Sequence, residues 1–470
     1  MKSHLAAGVS CLLLMGGCAN LPGPDHVSPE VALPDRWSTR SVTGEKVPPF
    51  WWELFGDAEL NRLQAQALES NQDLLAAMHR VEAAKADFRS NRADLLPSVE
   101  GGASTDRSQS SANFTQLPGF TPPEVSQYRL TSGVAYEVDL WGKVRRSVES
   151  AQASLAASAY ARDAVMLSLT GEVAEQFFSL RTLDAEYAVL RRTVAARKAS
   201  LEIAQARYSG GLTGESDVTR AKGALASAEA DAADVARRRE LTENTIAELC
   251  GQPAGAFEIG VKERLGTTIP EVPLSVPASI LTQRPDLAES ERTLAARNAE
   301  IGVAIGERLP SLTIDGSLNL ESLTLSDLLT SGSRAFSVGP AVSLPVFTGG
   351  ANAAKVNKAR ARRDEAEADY RGTVLTAVKE VEDALTNQRG YAVLLDHQRE
   401  NFDAAARTTA LSLKRYTEGV VNYLEVVDSQ REALLAERSL VQAQGNELVA
   451  AVRLMKALGG GWGNETRATP

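Results

Sequence analysis

The feature that most limits what this sequence can fold into is an internal duplication. In the first half, residues 71–74 are followed by a Leu-Pro-Ser stretch at 96–98. In the second half, residues 284–287 are followed by the same stretch at 309–311. Both pairs are separated by an offset of 213 (286 − 73 and 310 − 97). Segments repeated at one spacing without a gap indicate two copies of one arrangement of elements.

A second match extends the duplication along the chain. Residues Arg207–Leu212 align with Arg415–Val420 at an offset of 208 (415 − 207). The two halves therefore share the order and length of their segments over most of the sequence. We predict two structural repeats with the same elements, residues 57–270 and 271–462, followed by a C-terminal tail at 463–470.

Each half contains two stretches in which apolar and polar residues alternate. They lie near residues 99–105 and 128–140 in the first half, and near 312–320 and 336–346 in the second. Period two places the apolar side chains of a strand on one face of a sheet. By itself the pattern fits half-buried strands of a soluble sandwich and membrane-barrel strands, apolar toward lipid and polar toward water, equally well.

Two very long helices are also predicted. Over residues 166–208 and 374–416, apolar residues recur every three or four positions, with a mean spacing of about 3.5, the coiled-coil period. No proline interrupts residues 142–252 or 346–469. A helix from about Lys143 to Tyr208 would be roughly 100 Å long. Abundant alanine suits a closed ring in which each helix contacts two neighbours. The coiled-coil hairpins of a periplasmic adaptor or scaffold would show the same helical pattern, but that interpretation leaves the four strands unexplained.

The first residues have the pattern of a secretion signal. Lys2 supplies a positive charge and Leu5–Met15 a short apolar stretch, which is too short to span a bilayer. We predict a signal peptide over residues 1–17. Cys11 leaves with it, and Cys250 then has no intrachain partner for a disulfide, which favours a core position for it.

Residues Met15–Cys18 resemble the lipobox of bacterial lipoproteins, in which the Cys is acylated and becomes the first mature residue. We therefore predict a covalent lipid on Cys18, followed by a lipidated N-terminal tether over residues 18–56. In lipoprotein families an Asp after this Cys retains the protein at the inner membrane. Ala19 stands at that position, so the same resemblance implies the outer membrane.

Composition argues against several other classes of protein. The formal net charge is −10 (Lys+Arg 50, Asp+Glu 60), whereas a protein that follows a nucleic-acid backbone needs a surplus of cations. The histidines His4, His26, His79 and His397 are scattered, and no phosphate loop, nucleophile elbow or metal-ligand spacing is recognisable. We therefore expect no enzyme, no metal site, no nucleic-acid partner and no cofactor beyond the lipid on Cys18.

Four strands cannot close a barrel in a membrane. Open sheet edges in lipid leave backbone N–H and C=O groups unpaired, at several kcal/mol each, and known barrels begin at about eight strands. Other copies of the chain must therefore complete the sheet. Three copies would give twelve strands and a water-filled lumen, but composition does not choose three over two or four.

Four segments of the sequence resemble the signatures of the TolC family of outer-membrane efflux channels. They are Tyr136–Lys143, Arg284–Glu289, Leu344–Gly350 and Leu458–Trp462. More narrowly, they are similar to its lipoprotein branch (OprM/NodT-like), which serves resistance-nodulation-division pumps. The resemblance implies an α+β membrane protein. It would be a homotrimer with a 12-stranded transmembrane β-barrel, four strands per chain, that continues into a long periplasmic α-helical coiled-coil barrel with an equatorial helical region.

The resemblance also assigns functional residues. In this family a Leu and an Asp ring the closed periplasmic end, which implies a gate at Leu424 and Asp428, with Arg431 as an ionic partner. An ordinary surface pair between Asp428 and Arg431, three residues apart on one helix, is the alternative. The turns implied to contact the adaptor consist of Gly210, Gly211, Leu212, Thr213, Gly419, Val420 and Val421. Tyr136 and Trp141, at the end of a strand, suit a membrane interface.

The function implied is a passive exit duct in the outer membrane of a Gram-negative cell. Small molecules would be supplied by an inner-membrane resistance-nodulation-division pump through a periplasmic adaptor protein. A duct for type I protein secretion shares the fold and the trimer, and remains the alternative within the family. A periplasmic coiled-coil scaffold lipoprotein with no pore is the alternative from another class.

Overall fold

The computed structural model describes residues 21–38, 47–111, 122–266 and 280–462, together with residues 269, 270, 272 and 277. The predicted signal peptide, the lipid site at Cys18 and the C-terminal tail lie outside the described residues. The chain divides into two compact units. The strand unit comprises Met1–Glu30, Arg80–Ser158 and Ser290–Tyr370, and the helical unit comprises Val31–His79, Ala159–Glu289 and Arg371–Pro470.

The elements of the first half are α1 (Ala58–Ser70), α2 (Gln72–Ala93), β1 (Ser98–Ser108), β2 (Val125–Val138), α3 (Lys143–Ser209) and α4 (Glu215–Leu249). Those of the second half are α5 (Ile280–Gln283), α6 (Pro285–Gly306), β3 (Ser311–Ser322), β4 (Arg334–Ser343), α7 (Ala351–Thr417) and α8 (Tyr423–Ala457). Short 3₁₀ turns occur at Trp51–Phe55, Ala254–Ala256, Leu325–Asp327 and Ser331–Ser333.

The element boundaries repeat as the sequence offsets predict. Helices α2 and α6 each have 22 residues and begin 213 positions apart (285 − 72). Helices α3 and α7 each have 67 residues and begin 208 positions apart (351 − 143). Helices α4 and α8 each have 35 residues at the same offset (423 − 215). The internal duplication and the long helices are therefore confirmed.

The four strands form one antiparallel sheet in the order β1-β2-β3-β4. The register pairs apolar residues across neighbouring strands, as in Val99 with Val134, Leu130 with Leu320, and Leu318 with Phe336. Because side chains alternate along a strand, these residues share one face of the sheet. The opposite face is polar, with Thr131 paired to Asn319 and Ser317 to Ser337. The predicted alternation is confirmed.

The apolar face of the sheet is open within a single chain. On β4, the side chains of Phe336, Val338 and Val342 are 81%, 76% and 72% exposed. The alternation predicted as far as Val346 stops earlier, because β4 ends at Ser343. The physical reason is the length of the neighbouring strand. Ser343 pairs with Ser311, the first residue of β3, so Leu344 has no strand residue opposite it.

The junction between β2 and α3 explains one of the sequence signatures. Gly142 has a φ of +84°, a conformation that other residues rarely adopt. Beside it, the carboxylate of Asp139 accepts hydrogen bonds from the backbone N–H groups of Val144 (3.1 Å) and Arg145 (2.9 Å). These N–H groups lie in the first turn of α3 and have no partner within the helix. The sharp turn and the cap together end the strand and begin the helix.

The helical unit has a core of aromatic and aliphatic side chains. Phe55 and Phe178 stack with ring centroids 4.9 Å apart, and Trp51, Leu60 and Leu63 are fully buried beside them in the same unit. Burial of each such side chain stabilises a fold by about 1.5–3 kcal/mol. The N-terminal segment containing Trp51 is therefore part of the folded core.

The two repeats use equivalent contacts where each hairpin ends. Gly251 and Gly459 both have positive φ values, +65° and +91°. A Cβ atom on Gly251 would overlap the carbonyl oxygen of Ser70, and one on Gly459 would overlap that of Gln283. Ser70 and Gln283 are separated by the first offset (283 − 70 = 213) and the two glycines by the second (459 − 251 = 208). Glycine is thus required at the same place in both copies.

The Leu458–Trp462 signature begins directly after the end of helix α8 at Ala457. Gly460 and Gly461 also have positive φ values, and a Cβ on Gly461 would overlap the carbonyl oxygen of Pro48. The indole Nε1 of Trp462 donates to the Asp163 carboxylate at 3.0 Å. Gly461 and Trp462 therefore tie the end of α8 to the N-terminal segment and to α3 within the helical unit.

Candidate functional site: the turns of the two helix hairpins

The first hairpin turn joins α3 to α4. The N–H of Gly211 donates to the carbonyl of Tyr208 (2.9 Å), and the N–H of Leu212 donates to that of Arg207 (2.9 Å). This paired arrangement, with Gly211 at φ +71°, is the Schellman motif that ends many helices. It leaves the Leu212 side chain 70% exposed.

The second turn, between α7 and α8, repeats this geometry 208 positions later. Gly419, at φ +77°, donates to the carbonyl of Tyr416 (3.0 Å), and Val420 donates to that of Arg415 (2.9 Å). The Val420 side chain is 62% exposed. The residues predicted to form the two tips are thus helix-ending turns, and each presents one apolar side chain to solvent.

The two hairpins are held together just behind their turns. The rings of Tyr416 and Tyr423 lie 5.2 Å apart, and the guanidinium of Arg207 lies 4.8 Å from the centroid of the Tyr416 ring. Val218 of α4 and Val426 of α8 belong to the same buried cluster. Burial raises the pKa of both tyrosines above the ordinary value of 10.0. The cluster therefore joins α3, α4, α7 and α8 behind the turns.

The start of α8 differs from that of α4. The Asn422 side chain caps α8 by accepting from the N–H of Glu425 (3.3 Å), whereas Gly214 has no side chain to cap α4. The carboxylate of Glu425 in turn contacts Arg415 at 3.2 Å. The two tips therefore differ in sequence as well, because Asp217 stands in the first repeat where Glu425 stands in the second.

The predicted gate residues lie on one exposed face of α8. Leu424, Asp428 and Arg431 follow one another at intervals of four and three residues, and each is exposed. Tyr423 and Val426 are buried against the chain's own helices. Arg431 Nη2 lies 3.9 Å from Asp428 Oδ1 on the same helix. Within one chain the two form the loose surface pair of the alternative interpretation, and their face is free to contact other copies.

A buried charge network joins α3, α4 and the non-helical segment that contains Lys262. The Asp184 carboxylate, fully buried, pairs with Arg181 at 2.9 Å and Arg239 at 2.7 Å, and accepts from the backbone N–H of Lys262 at 3.1 Å. Sequence reasoning missed this site. A signal was present in the sequence, because Arg181 and Asp184 lie among the regularly spaced apolar residues of α3.

A second buried carboxylate joins α3 to α8. Glu186 is 1% exposed and pairs with Arg438 of α8 at 2.7 Å. Because breaking a buried pair leaves an uncompensated charge, such contacts strongly favour one packing of the helices. The Glu186–Arg438 pair therefore fixes how α3 and α8 pack against each other within one chain.

The proposed membrane-interface aromatics lie at opposite sides of the end of β2. Tyr136 belongs to the apolar face of the sheet, paired with Ile314. Trp141 follows the strand and is partly buried, and its Nε1 donates to the carbonyl of Pro310 at 2.7 Å. Trp141 therefore also has a structural role, connecting the β2–α3 junction to the start of β3.

The cysteine predicted to lie in the core does so. Cys250 is fully buried, and its thiol points to the carbonyl oxygen of Leu63 at 3.7 Å. Burial raises its pKa to about 11, so at neutral pH it carries little thiolate, the reactive form.

Two further observations concern only the described residues. No group of three or more His, Cys, Asp or Glu side chains within these ranges could hold a metal ion. No helix there offers the length of apolar sequence that a bilayer crossing requires.

Comparison with known proteins adds a family. The family model described as outer membrane efflux protein matches residues 63–252 and 276–460. The solvent efflux pump outer membrane protein SrpC of Pseudomonas putida is 31% identical over 96% of this chain and 97% of its own. The outer membrane protein OprJ of Pseudomonas aeruginosa is 31% identical, over 97% and 96%. Among solved structures, the open state of the MtrE outer membrane channel of Neisseria gonorrhoeae has a TM-score of 0.84 at 28% identity, over 94% of this chain and 98% of that one.

Proposed function

This chain belongs to the outer membrane efflux protein family, and we propose that it is the exit duct of a tripartite efflux system. In this proposal three copies close a passive channel in the outer membrane that extends into the periplasm. Small molecules enter it from an inner-membrane resistance-nodulation-division pump through a periplasmic adaptor protein. The relatives named for solvent and antibiotic efflux pumps support efflux of small molecules over protein secretion.

The observation that carries the proposal is the four-stranded sheet. One face is apolar and exposed, the other is polar, and β1 and β4 are its edges. In lipid, unpaired edge groups cost several kcal/mol each. Three copies joined edge to edge would satisfy these groups, face lipid with the apolar side, and surround a water-filled lumen with the polar side. A non-pore scaffold lipoprotein would have no use for such a sheet.

The gate is proposed on the exposed face of α8. Threefold repetition of this face around an axis would bring three Leu424 side chains and three Asp428 carboxylates together, an apolar ring beside an acidic ring. Arg431, 3.9 Å from Asp428, would compensate part of the charge. In this proposal, opening requires the α7–α8 hairpins to separate. The buried Tyr416–Tyr423 cluster, which packs α7 and α8 against α3 and α4, would oppose that separation.

The exposed turns are proposed as the adaptor contact. Leu212 and Val420 extend from rigid Schellman turns and offer apolar contacts at matching positions of both repeats. The chain would be anchored by a lipid on Cys18, with Tyr136 and Trp141 near the membrane interface.

The test is oligomeric state and conductance of the mature, lipidated protein. Purified in detergent, it should run as a heat-modifiable trimer, and in planar lipid bilayers it should form pores. Co-purification of a periplasmic adaptor protein with the trimer would support the tripartite assembly. A water-soluble monomer without affinity for detergent or lipid would overturn the proposal.

A further inference from the structure

The segment Leu21–Ser28, here called the strap, is bound by two helices of the strand unit and bends at Gly23, which has a φ of +84°. Helix α3 supplies Arg146, whose side chain is only 2% exposed. Its Nε donates to the carbonyl of Pro22 at 3.0 Å, and its Nη2 pairs with the Asp25 carboxylate at 2.8 Å. The nearly buried guanidinium of Arg146 thus donates its hydrogen bonds to the strap and to Glu149 of its own helix.

Helix α6 supplies the second set of contacts. The Asn298 side chain, 4% exposed, donates to the carbonyl of Pro24 at 2.8 Å. One oxygen of Glu291 accepts from the Ser28 hydroxyl at 2.7 Å and lies 2.7 Å from His26 Nε2. The strap is rich in proline and has few backbone N–H groups of its own. Its carbonyl groups therefore accept hydrogen bonds from buried side chains on the helices.

The helices are also shaped for the strap. A Cβ atom on Gly302 of α6 would overlap the carbonyl oxygen of Pro22, and one on Gly142 would overlap the Leu21 side chain. Two glycines, at separate places in the sequence, therefore permit close approach of this one segment. The buried side-chain donors and the two glycines that permit close approach together form a binding surface for the strap.

We infer that this strap-binding surface positions the lipid anchor. Leu21 packs on Gly142, at the junction between β2 and α3. Three residues reach at most about 11 Å, so a bound strap confines Cys18 to that distance from Leu21. Arg146 is then a positioning residue that fixes the acyl group at the level of the strand–helix junction. The inference rests on the proposed lipid anchor and goes beyond the proposed duct.

The consequence concerns assembly in the membrane. With the strap bound, the acyl chain holds the apolar sheet face next to the bilayer, and insertion becomes an intramolecular step with a short linker. A released strap lengthens the free linker from three residues to ten (28 − 18). Effective concentration falls roughly as the −3/2 power of linker length, so trimer formation should slow about sixfold.

The first test measures the strap directly. A nitroxide label on Val27→Cys, a position 77% exposed, reports backbone motion by electron paramagnetic resonance, and buried Cys250 does not compete for the label. We expect an immobile signal in the lipidated protein and a mobile one in Arg146→Ala. The control is Arg145→Ala, which removes the same charge one residue earlier but contacts Asp139 and not the strap. An immobile label in Arg146→Ala would overturn the inference.

The second test separates positioning from a merely structural tie. Four Gly/Ser residues inserted after Asn20 leave every strap contact in place but lengthen the linker from three residues to seven. By the same scaling, pulse-chase formation of heat-modifiable trimer should slow about three- to fourfold for the insertion and about sixfold for Arg146→Ala. The combination should slow about tenfold, whereas independent effects would multiply to about twentyfold.

Two results of this second test would contradict the inference. An insertion without effect, beside a slow Arg146→Ala variant, would show that Arg146 acts on the fold alone. A combined variant slowed about twentyfold, the product of the two single effects, would likewise show that Arg146 does not act through the linker. Conductance of the trimers that do form is measured separately, so a failure of the proposed duct is distinguishable from a failure of anchor positioning.

Discussion

At the scale of single residues, the same chemistry serves different ends according to burial. Asp184 and Asp428 are both aspartates paired with arginine at i−3 or i+3. Asp184 is fully buried with two arginines, whereas Asp428 is exposed and 3.9 Å from one. The first fixes how helices pack. The second adds little to the stability of one chain, which leaves it available for a role between copies.

The gate proposal predicts that Asp428→Ala raises the basal conductance of the channel severalfold. Removal of three carboxylates from one ring would weaken the charge pairing that holds the hairpins together. Single-channel recording in planar bilayers measures this. Glu229→Ala, which removes an exposed carboxylate from α4, is the control and should leave conductance unchanged. Equal conductance in Asp428→Ala would remove Asp428 from the gate.

Glu291 predicts acid release of the strap. Burial raises the pKa of Glu291, but the hydrogen bonds from Arg292, His26 and Ser28 together lower it by more. The net pKa is therefore below its ordinary value of 4.5. A lowered folded-state pKa contributes stability above pH 4.5 that is lost as pH falls through the folded value. The label at Val27 should therefore become mobile below pH 4.5. In Glu291→Gln that step should shrink, and an unchanged step would show that Glu291 does not cause it.

At the scale of elements, helix length is local but helix packing is not. A 67-residue helix such as α3 follows from a stretch without proline, and with Gly171 as its one internal glycine, between Gly142 and the Gly210-Gly211 turn. Which of its faces is buried depends on partners far along the chain. Arg438 reaches Glu186 across 252 residues, and Lys262 reaches Asp184 across 78. Such pairs give the hairpins one packing.

The buried network predicts a large loss of stability for Asp184→Ala. The change leaves Arg181 and Arg239 without their shared carboxylate, and breaking a buried pair costs about 3–5 kcal/mol. Thermal unfolding of the detergent-solubilised protein measures the effect. Asp234→Ala, which breaks an exposed pair with Arg237 on α4, should leave the midpoint unchanged. Equal midpoints for both variants would show that the Asp184 network contributes no net stability.

At the scale of the whole molecule, the sheet makes one chain incomplete. Its core-like apolar residues lie on an exposed face, and its hydrogen-bonding edges are open, whereas the helical unit has a core of its own. In the proposed trimer, other copies of the chain would pair with the sheet edges and lipid would cover the apolar face. This division explains why apolar residues in one sequence recur at about 3.5 positions in the helices and at two positions in the strands.

The two faces of β4 predict opposite responses to charge. Phe336→Arg places a guanidinium on the apolar face, at about 2–4 kcal/mol near the bilayer midplane. Ser337→Arg places the same group one residue later on the polar face, where water would solvate it. Yield of heat-modifiable trimer in outer-membrane fractions should fall for Phe336→Arg and not for Ser337→Arg. Equal yields would contradict lipid contact of the apolar face.

Much of this architecture was determined by sequence alone, because it depends on local periodicity. The offsets of 213 and 208 predicted the repeated elements, period two predicted the faces of the strands, and glycines such as Gly211 and Gly419 marked the helix ends. The strand faces and helix ends follow from neighbours within a few residues, and the offsets follow from comparing the sequence with itself. The gate assignment at Leu424 and Asp428 came from family resemblance and stays a prediction.

Only the tertiary structure decided what joins distant residues. The strand register, the Asp184 network and the Tyr416–Tyr423 cluster depend on which side chains meet in space. The strap is the clearest case, since Arg146 and Pro22 are 124 positions apart and neither stands out in a local pattern. Burial made Arg146 a positioning residue, because a desolvated guanidinium must find acceptors wherever the fold brings them.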